Sequence, residues 1–496
     1  MVALGPVLDV SASLLLGIDA GTSGVKVALF DPELRPLAEA RRPLRSSHPR
    51  PDWVEQDPEE HLAAVVEAVG EVLERAPAGE IACGLDHQGE SIVAWHAGTG
   101  TALSPIVVWQ CKRSMPIVER LGAEGAEAEI QRRSGLPLDP YFSSTKLTWL
   151  RENVPTVAEA LEAGELRFGT LDSFVCDRLG AAFATDPSTA SRTQLAELGG
   201  GRWDPWLCER FDVPIETLPQ IADTAGPLGV LRHPSWPREL ALTARLVDQQ
   251  AALAGTGCLE PGMSKATYGT GVFVLTHVGT ELVEVEGLLP TVAWRIAGRT
   301  ENAVDGGVFA AGSLLEWLSG EIGLASDPAA ICTLAGEAAD SGGVRVLPAI
   351  TGLGAPWWKP EARGVIAGLT QATGRAEIAR AALEGIAWRV ADVVEAGGQR
   401  HEVRTLRVDG GLSNDPLLLS LQADALGVPV ERMPADATAR GAALLAGVGA
   451  DVFETPIAAA PLLEAEARAE PSQDAAWRTG ERERWKQFVS LSSQLS

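Results

Sequence analysis

The sequence predicts an α/β protein made of two related domains that face each other across a cleft. The chain has 496 residues, which is more than a single hydrophobic core usually organises. Predicted strands alternate with predicted helices in the first half. A strand, a glycine-rich turn and a second strand then occur in both halves, which indicates an internal duplication.

The first domain is predicted to open with a β-meander at residues 14–40. The segments LLLGIDAG and TSGVKVALF alternate as strands around a glycine turn, and a further turn leads into PLAEARRP. A helix is expected next, because Asp57 suits the N-cap and Pro58 the first helical position, and an apolar stripe extends to Leu73. Two more strands follow, separated by the polar residues 86–90.

The second domain repeats the opening design. Residues 264–275 again predict a strand, a glycine turn and a strand, and residues 406–415 predict a strand that leads into a glycine turn. Helices are expected from Pro416 and from Ala437, and the charged segment from Glu464 is expected to be helical or partly frayed.

No linker-like segment separates the two domains. We place the boundary near residues 250–257, which gives a first domain at 14–252 and a second at 253–496.

Composition excludes several classes of protein. A formal net charge of −25 disfavours a general basic surface for nucleic acid. The six cysteines form no Cys-x-x-Cys pair, which argues against a disulfide framework and a zinc site. No apolar run approaches the roughly 20 residues of a membrane helix. Residues 1–13 are apolar but lack the basic start of a signal peptide, so we expect a cytoplasmic protein without membrane or nucleic-acid partners.

The turn DAGTSG at residues 19–24 has the composition of a phosphate-binding loop. Glycines let backbone N–H groups approach a phosphate. Thr22 and Ser23 offer hydroxyl donors, Lys26 offers positive charge, and Asp19 is a candidate ligand for Mg²⁺. An ordinary hairpin turn is the alternative for this motif taken alone.

Two further glycine turns strengthen the phosphate interpretation. YGTG at 268–271 and DGG at 409–411 place such turns in both halves, as expected for a nucleotide held between duplicated domains. The chain has neither the Gly-x-x-x-x-Gly-Lys-Ser/Thr motif of P-loop proteins nor a Gly-x-Gly-x-x-Gly motif of dinucleotide-binding folds.

Asp248 is the candidate catalytic base. Transfer of a phosphoryl group to a hydroxyl needs a carboxylate that accepts the hydroxyl proton near the γ-phosphate. Asp248 ends an apolar strand and precedes a small-residue helix, which predicts a position at a strand end facing the cleft. The alternative is that it only caps the following helix, and both roles are compatible.

These residues, in this order, resemble the FGGY carbohydrate kinases of the actin-like ATPase superfamily, and within that family the glycerol kinases. The resemblance covers nearly the whole chain. The motifs that carry it are DAGTSGVK (19–26), VVWQCKR (107–113), DPYFSSTK (139–146), DPSTASRT (186–193), DQQAAL (248–253), YGTG (268–271), LGAPWW (353–358) and DGG (409–411).

The resemblance implies two ribonuclease-H-like domains around a central cleft, with ATP and Mg²⁺ bound between them and Asp248 as the base. A homodimer or homotetramer is compatible with it. The implied contacts to the ATP phosphates are Thr22, Ser23, Lys26, Thr270 and Gly271, and those to the nucleoside are Gly312, Glu316, Gly411 and Asn414. Glu316 stands where glycerol kinases usually have Gln, and the loop after Gly411 is one residue shorter than theirs.

The resemblance also implies a binding site for a small polyol or sugar. The matching residues are Glu90, Trp109, Tyr141, Asp248, Gln249 and Phe273. Carboxylates and an amide suit vicinal hydroxyls, and aromatic rings suit the carbon chain. Taken without the resemblance, the three aromatic residues are equally compatible with a hydrophobic core.

One residue departs from the glycerol kinase pattern in a way that bears on the substrate. Gly89 precedes Glu90 where glycerol kinases have Arg, so a bidentate donor is missing and space is gained. We therefore hypothesise a larger acceptor, such as a tetritol, pentitol or pentulose, with His87 or Gln88 reaching its outer hydroxyls. The alternatives of another class are a sugar or nucleotide sensor without activity and an actin-like or chaperone-type ATPase.

Overall fold

The computed structural model describes residues 14–398 and 401–492. The expectation for residues 1–13 therefore lies outside the described residues. The strands are β1 Leu14–Ala20, β2 Gly24–Phe30, β3 Pro36–Pro43, β4 Glu55–Gln56, β5 Ile81–His87, β6 Ile92–His96, β7 Ile106–Val107, β8 Leu166–Thr170, β9 Ala184–Thr185, β10 Gln220–Ile221, β11 Ala225–Leu231, β12 Leu240–Val247, β13 Ser264–Tyr268, β14 Val272–Gly279, β15 Leu289–Ile296, β16 Arg299–Val308, β17 Arg345–Leu347, β18 Val365–Ala367, β19 Leu406–Asp409, β20 Val430–Arg432 and β21 Ala467–Ala469.

Helices lie between the strands throughout the described chain. They are α1 Pro58–Arg75, α2 Met115–Ala123, α3 Glu127–Ser134, α4 Ser143–Asn153, α5 Pro155–Glu162, α6 Leu171–Arg178, α7 Pro187–Ala190, α8 Pro205–Arg210, α9 Asp248–Gly255, α10 Gly312–Gly320, α11 Pro328–Ala335, α12 Arg375–Gly397, α13 Pro416–Leu426, α14 Ala437–Gly449 and α15 Ala475–Ser492, with 3₁₀ turns at Ile215–Thr217, Gly411–Asn414 and Pro456–Leu462. No helix in the described ranges is long and apolar enough to cross a membrane.

A single mixed sheet of 13 strands contains both halves of the chain. Its order is β21-β20-β19-β13-β14-β16-β15-β11-β12-β5-β1-β2-β3. In the first half β2 is antiparallel to β1 and β3, while β5 and β12 continue parallel to β1. In the second half β14 is antiparallel to β13 and β16, while β19 and β20 continue parallel to β13. The repeated arrangement confirms the predicted duplication.

The two halves meet without a linker. β11 pairs with β15 through Ala225 and Ile296, and the predicted boundary between residues 252 and 253 falls inside α9. The predicted helices from Pro58, Pro416 and Ala437 are present. The C-terminal segment differs from expectation, because β21 forms before α15 and pairs antiparallel with β20. Its arginine Arg468 reaches the β20 carboxylate of Glu431, with Nη1 2.7 Å from Oε1, a long-range contact that local patterns do not reveal.

Helix α14, from the second half, packs directly on the backbone of the first half. A Cβ atom built on Gly17 of β1 would lie 1.8 Å from the carbonyl oxygen of Ala439, and one on Gly441 would lie 1.8 Å from that of Ala251 in α9. Only glycine permits these approaches. They fix α9, which begins at Asp248, against the sheet.

We expect Gly17→Ala to lower the free energy of unfolding by about 1–3 kcal/mol, because the added methyl group requires the backbone of α14 to move. Urea denaturation followed by circular dichroism measures the change. The matched control is Gly122→Ala in α2, where a Cβ meets no atom within 4 Å and alanine favours the helix. Equal stability of the two variants would contradict the packing argument.

Candidate active site

Three aspartates lie at the carboxyl ends of neighbouring parallel strands. Asp19 of β1 stands opposite Asp86 of β5 in the strand register, and Asp248 directly follows β12. Burial raises the pKa of all three carboxyl groups, and the charge of Asp19 raises the pKa of Asp86 and Asp248 further. The pKa of Asp248 reaches about 7. A carboxyl group with that pKa suits proton transfer near neutral pH.

Asp248 does not act as the N-cap of α9. The cap position belongs to Val247, which offers no side-chain cap, and Asp248 is the first helical residue. Its Oδ1 accepts a hydrogen bond from the N–H of Gln249 at 2.7 Å, and its carboxylate lines a cavity. The interpretation of Asp248 as a mere capping residue is therefore wrong, because α9 begins at Asp248 itself and not at Gln249.

Asp19 and Asp86 fit a magnesium ion. Both carboxylate oxygens of Asp86 are buried, and their hydrogen-bonding contact is with the carboxyl group of Asp19. Mg²⁺ is commonly held by one or two carboxylates together with substrate phosphates. Sequence reasoning selected Asp19 and missed Asp86, whose signal was a carboxylate at the end of an otherwise apolar strand.

One cavity between the two halves of the sheet collects all six residues predicted to bind the acceptor. From the first half come Glu90, Trp109, Tyr141, Asp248 and Gln249, and from the second half comes Phe273. The remaining residues that line it are Thr22, Gly89, Arg192, Val247, Gln250, Leu275 and Asp305.

Trp109 and Tyr141 form one wall of this cavity. The rings of Trp109 and Tyr141 meet edge to face, with centroids 5.6 Å apart at 67°. Trp109, Tyr141 and Phe273 are only partly covered and line the cavity, while Trp109 also packs against the hydrophobic core of the first half. Such rings suit the carbon chain of a small polyol.

Thr22 joins this wall to the glycine turn. Its hydroxyl accepts a hydrogen bond from Nε1 of Trp109 at 3.1 Å and donates one to Oε1 of Gln88 at 3.0 Å. The side chain of Thr22 is thus committed to the acceptor cavity, and a contact to phosphate would come from the backbone of the turn.

Glu90 has a strained backbone and a buried carboxylate. Its φ of 57° lies in the left-handed region, which costs a residue with a side chain about 1–2 kcal/mol. The carboxylate accepts a hydrogen bond from Nε of Arg192 at 2.7 Å. Burial raises its pKa in spite of that partner. Backbone strain of this kind accumulates at functional sites.

Gly89 lines the cavity, but Val247 limits the space beside it. A Cβ on Gly89 would lie 3.0 Å from Cγ1 of Val247. His87 contacts the carbonyl of Gln88 at 2.9 Å and the hydroxyl of Thr189 at 3.0 Å. Gln88 donates to Oε1 of Gln56 at 2.8 Å. His87 and Gln88 are buried, hold other hydrogen-bond partners and do not line the cavity, so the structure gives no support to the hypothesis that they reach outer hydroxyls.

Arg192 and Asp305 are cavity residues that sequence reasoning did not select. Nη2 of Arg192 lies 3.0 Å from Oδ2 of Asp305, so this arginine joins Glu90 of the first half to Asp305 on β16 of the second. In the sequence, Arg192 could have been selected from its position within the DPSTASRT motif.

The two predicted phosphate turns have matching geometry. The N–H of Gly21 donates to the carbonyl of Gly24 at 3.1 Å, and the N–H of Gly269 donates to that of Gly271 at 2.8 Å. Ser23 and Thr270 are exposed at the two tips. Lys26 stands opposite Asp19 in the register of β1 and β2.

Helix α10 begins directly on the second turn. The N–H of Gly312 donates to the carbonyl of Gly269 at 3.1 Å, and a Cβ on Gly312 would lie 2.6 Å from that oxygen. Glu316 is exposed on the same helix. The nucleoside role assigned to Gly312 and Glu316 stays a prediction.

The remaining predicted nucleoside residues lie in the 3₁₀ turn after β19. Nδ2 of Asn414 donates to the carbonyl of Gly411 at 3.0 Å, and its Oδ1 accepts from Nη1 of Arg432 at 2.7 Å. A Cβ on Gly411 meets no atom within 4 Å, so the surface above this turn is open. That opening leaves room for a ligand but does not itself require one.

Lys265 links the second half to the segment that follows β12. Its Nζ donates to Oε1 of Gln249 and, at 3.0 Å, to Oγ1 of Thr267. Burial lowers its pKa, while the carboxylates of Asp409 and Asp248 act in the opposite direction. This buried cation offsets part of the negative charge around Asp248, and sequence reasoning missed it.

Sequence comparison matches residues 14–254 to the N-terminal domain of the FGGY family of carbohydrate kinases, and residues 264–450 to the C-terminal domain of that family. The chain belongs to this family. The two FGGY matches correspond to the two halves of the sheet, with β1 to β12 in the first and β13 to β20 in the second. The cavity therefore takes residues from both FGGY domains.

Individual members of the FGGY family are similar over nearly their whole length. A glycerol kinase of Citrifermentans bemidjiense is 40% identical over 488 residues, which cover 96% of this chain and 98% of that protein. The crystal structure of Plasmodium falciparum glycerol kinase with ADP has a TM-score of 0.91 and 27% identity, covering 97% of this chain and 98% of that one. A Brucella ovis structure described as a xyloylose kinase has a TM-score of 0.85 and 25% identity, covering 97% and 99%.

Proposed function

We propose that this chain transfers the γ-phosphoryl group of ATP to a hydroxyl of a small polyol, with glycerol as the expected acceptor. The observation that carries the proposal is the convergence of Glu90, Trp109, Tyr141, Gln249 and Phe273 around the carboxylate of Asp248. The glycerol kinases among its relatives, similar over nearly their full length, support the choice of acceptor.

The proposed reaction begins with an acceptor held against the aromatic wall. Glu90 and Gln249 hydrogen-bond its hydroxyls, and Asp248 takes the proton of the hydroxyl that attacks the γ-phosphate. Ser23, Lys26, Thr270 and Gly271, with the backbone of Thr22, are the proposed contacts to the ATP phosphates. Asp19 and Asp86 would hold Mg²⁺, which neutralises phosphate charge when bound.

Release of ADP tests the proposal directly. Purified enzyme with Mg²⁺ and ATP is assayed without acceptor and with glycerol, four- and five-carbon polyols, and pentuloses. We expect ADP release to depend on an acceptor and glycerol to give the highest kcat/KM. Equal release without any acceptor would indicate an ATPase, and no release with any acceptor would favour a silent sensor. A pentulose as the best acceptor would overturn the assignment of glycerol.

The rate should depend on pH through Asp248. Because burial raises its pKa to about 7, the carboxyl is protonated below that pH and cannot accept the hydroxyl proton. We expect kcat/KM for the acceptor to fall about tenfold per pH unit below about 7 and to level off above it. Kinetics from about pH 5.5 to 8.5, with circular dichroism at each pH to control for unfolding, measure this. A flat profile down to about pH 5.5 would contradict the assignment of the base.

A further inference from the structure

Arg192 is a buried cation with unused hydrogen-bonding capacity inside the cavity. Its side chain is 5% exposed. Nε donates to Glu90 at 2.7 Å and Nη2 lies 3.0 Å from Oδ2 of Asp305. Nη1 has no hydrogen-bond partner among the described residues although it is buried. A buried donor left unpaired is costly, so the arrangement favours a ligand that accepts from it.

Asp305 offers the complementary atom. Its Oδ1 is buried and likewise lacks a partner within residues 14–398 and 401–492, and the residue lines the same cavity as Arg192. One free donor and one free acceptor on a bonded pair match a single hydroxyl group, which both accepts and donates. An aliphatic carbon or a second carboxylate would satisfy only one of the two atoms or neither.

The pair lies in the part of the cavity formed by Glu90 and Tyr141. Nε of Arg192 donates to the carboxylate of Glu90 at 2.7 Å, and its guanidinium lies 5.7 Å from the ring centroid of Phe142, the residue that follows Tyr141. Arg192 and Asp305 are therefore bonded on the side of Glu90, whereas the carboxylate of Asp248 accepts from the N–H of Gln249.

We propose that Arg192 and Asp305 together bind the acceptor hydroxyl that is most distant from the one phosphorylated. This inference rests on the proposed function and names two specificity-determining residues of that same site. Arg192 supplies the guanidinium that the Gly89 position lacks, from a different segment of the chain. Because Arg192 belongs to the first FGGY domain and Asp305 to the second, the distal hydroxyl contacts both domains.

The test compares glycerol with propane-1,2-diol, which lacks only the distal hydroxyl. For the wild type we expect kcat/KM to be about 10- to 100-fold higher with glycerol, as expected when a site pairs its polar groups with a hydroxyl. Arg192→Lys and Asp305→Asn should reduce this preference to about threefold or less. Each substitution should lower kcat/KM for glycerol and change kcat/KM for propane-1,2-diol little. The KM for ATP serves as the internal reference.

A buried ion pair outside the cavity provides the control. Arg389 is buried and its Nη1 lies 2.6 Å from Oδ2 of Asp392, so Arg389→Lys imposes a similar structural change without touching the acceptor. We expect this variant to keep the preference for glycerol. Loss of activity toward glycerol and the diol by the same factor in the Arg192 and Asp305 variants would mean a structural role and overturn the inference. A wild type without acceptor-dependent ADP release would instead count against the proposed function.

Discussion

Asp248→Asn is expected to lower kcat by about 100- to 10 000-fold, the usual contribution of a positioned general base. The amide keeps the shape of the carboxylate and still accepts the hydrogen bond that Gln249 N–H donates at 2.7 Å. It cannot take up the acceptor proton at neutral pH. The KM for ATP should change little, because the phosphate turns are separate from this side chain.

The same substitution should not destabilise the fold. The pKa of Asp248 is raised in the folded chain, so its ionisation opposes folding as the pH rises above the unfolded value, and a neutral amide removes that cost. Equal or higher thermal stability at pH 8, measured by scanning calorimetry, would agree with this reasoning.

Asp57→Asn provides the matched control, because Asp57 caps α1 through the N–H of Glu59 at 2.8 Å. This control should keep full activity. An Asp248→Asn enzyme with more than about a tenth of the wild-type kcat would exclude Asp248 as the base.

Glu90→Gln is expected to lower kcat/KM for the acceptor by about 10- to 100-fold. A carboxylate binds hydroxyl groups through charge-assisted hydrogen bonds, which are about twice as strong as those of a neutral amide. Most of the effect should fall on the KM for the acceptor, which steady-state kinetics with acceptor and ATP varied separately will resolve.

Stability should change little in the Glu90 variant, because two effects oppose each other. Burial raises the pKa of Glu90 even beside Arg192, so a neutral side chain removes a costly charge, while Arg192 retains Asp305 at 3.0 Å. Glu152→Gln is the control, since Glu152 pairs with Arg120 at 2.8 Å on the surface. A Glu90→Gln enzyme with unchanged kinetics for glycerol would remove Glu90 from the acceptor site.

Local patterns predicted the elements that carry the phosphate turns. A strand, a turn with two glycines and a second strand form a hairpin for reasons contained within about ten residues, so the turns at 21–23 and 269–271 were predictable. The strand β21 was not, because its pairing with β20 brings together Arg468 and Glu431, which are far apart in the chain.

The residues of the acceptor cavity also fall into two groups, those predicted from the sequence and those found only in the structure. Residues in recurring motifs, such as Glu90, Trp109 and Tyr141, were selected from the sequence and line one cavity. The partners of Glu90 were not selected. Arg192 is 102 residues away from Glu90 in the chain, and an arginine in a polar motif carries no local sign of being buried.

By itself, the sequence determined the α/β class, the duplicated strand and turn units, the set of candidate acceptor residues and the aspartate that follows β12. These features depend on short-range patterning and on ordered motifs. Only the tertiary structure decided that Asp86 faces Asp19, that His87 and Gln88 bond to Thr189 and Gln56, and that Arg192 connects Glu90 to Asp305. The physical reason is that burial and ion pairing arise where distant strands meet. The partner of a charged residue is therefore set by the tertiary structure and cannot be identified from the neighbouring sequence.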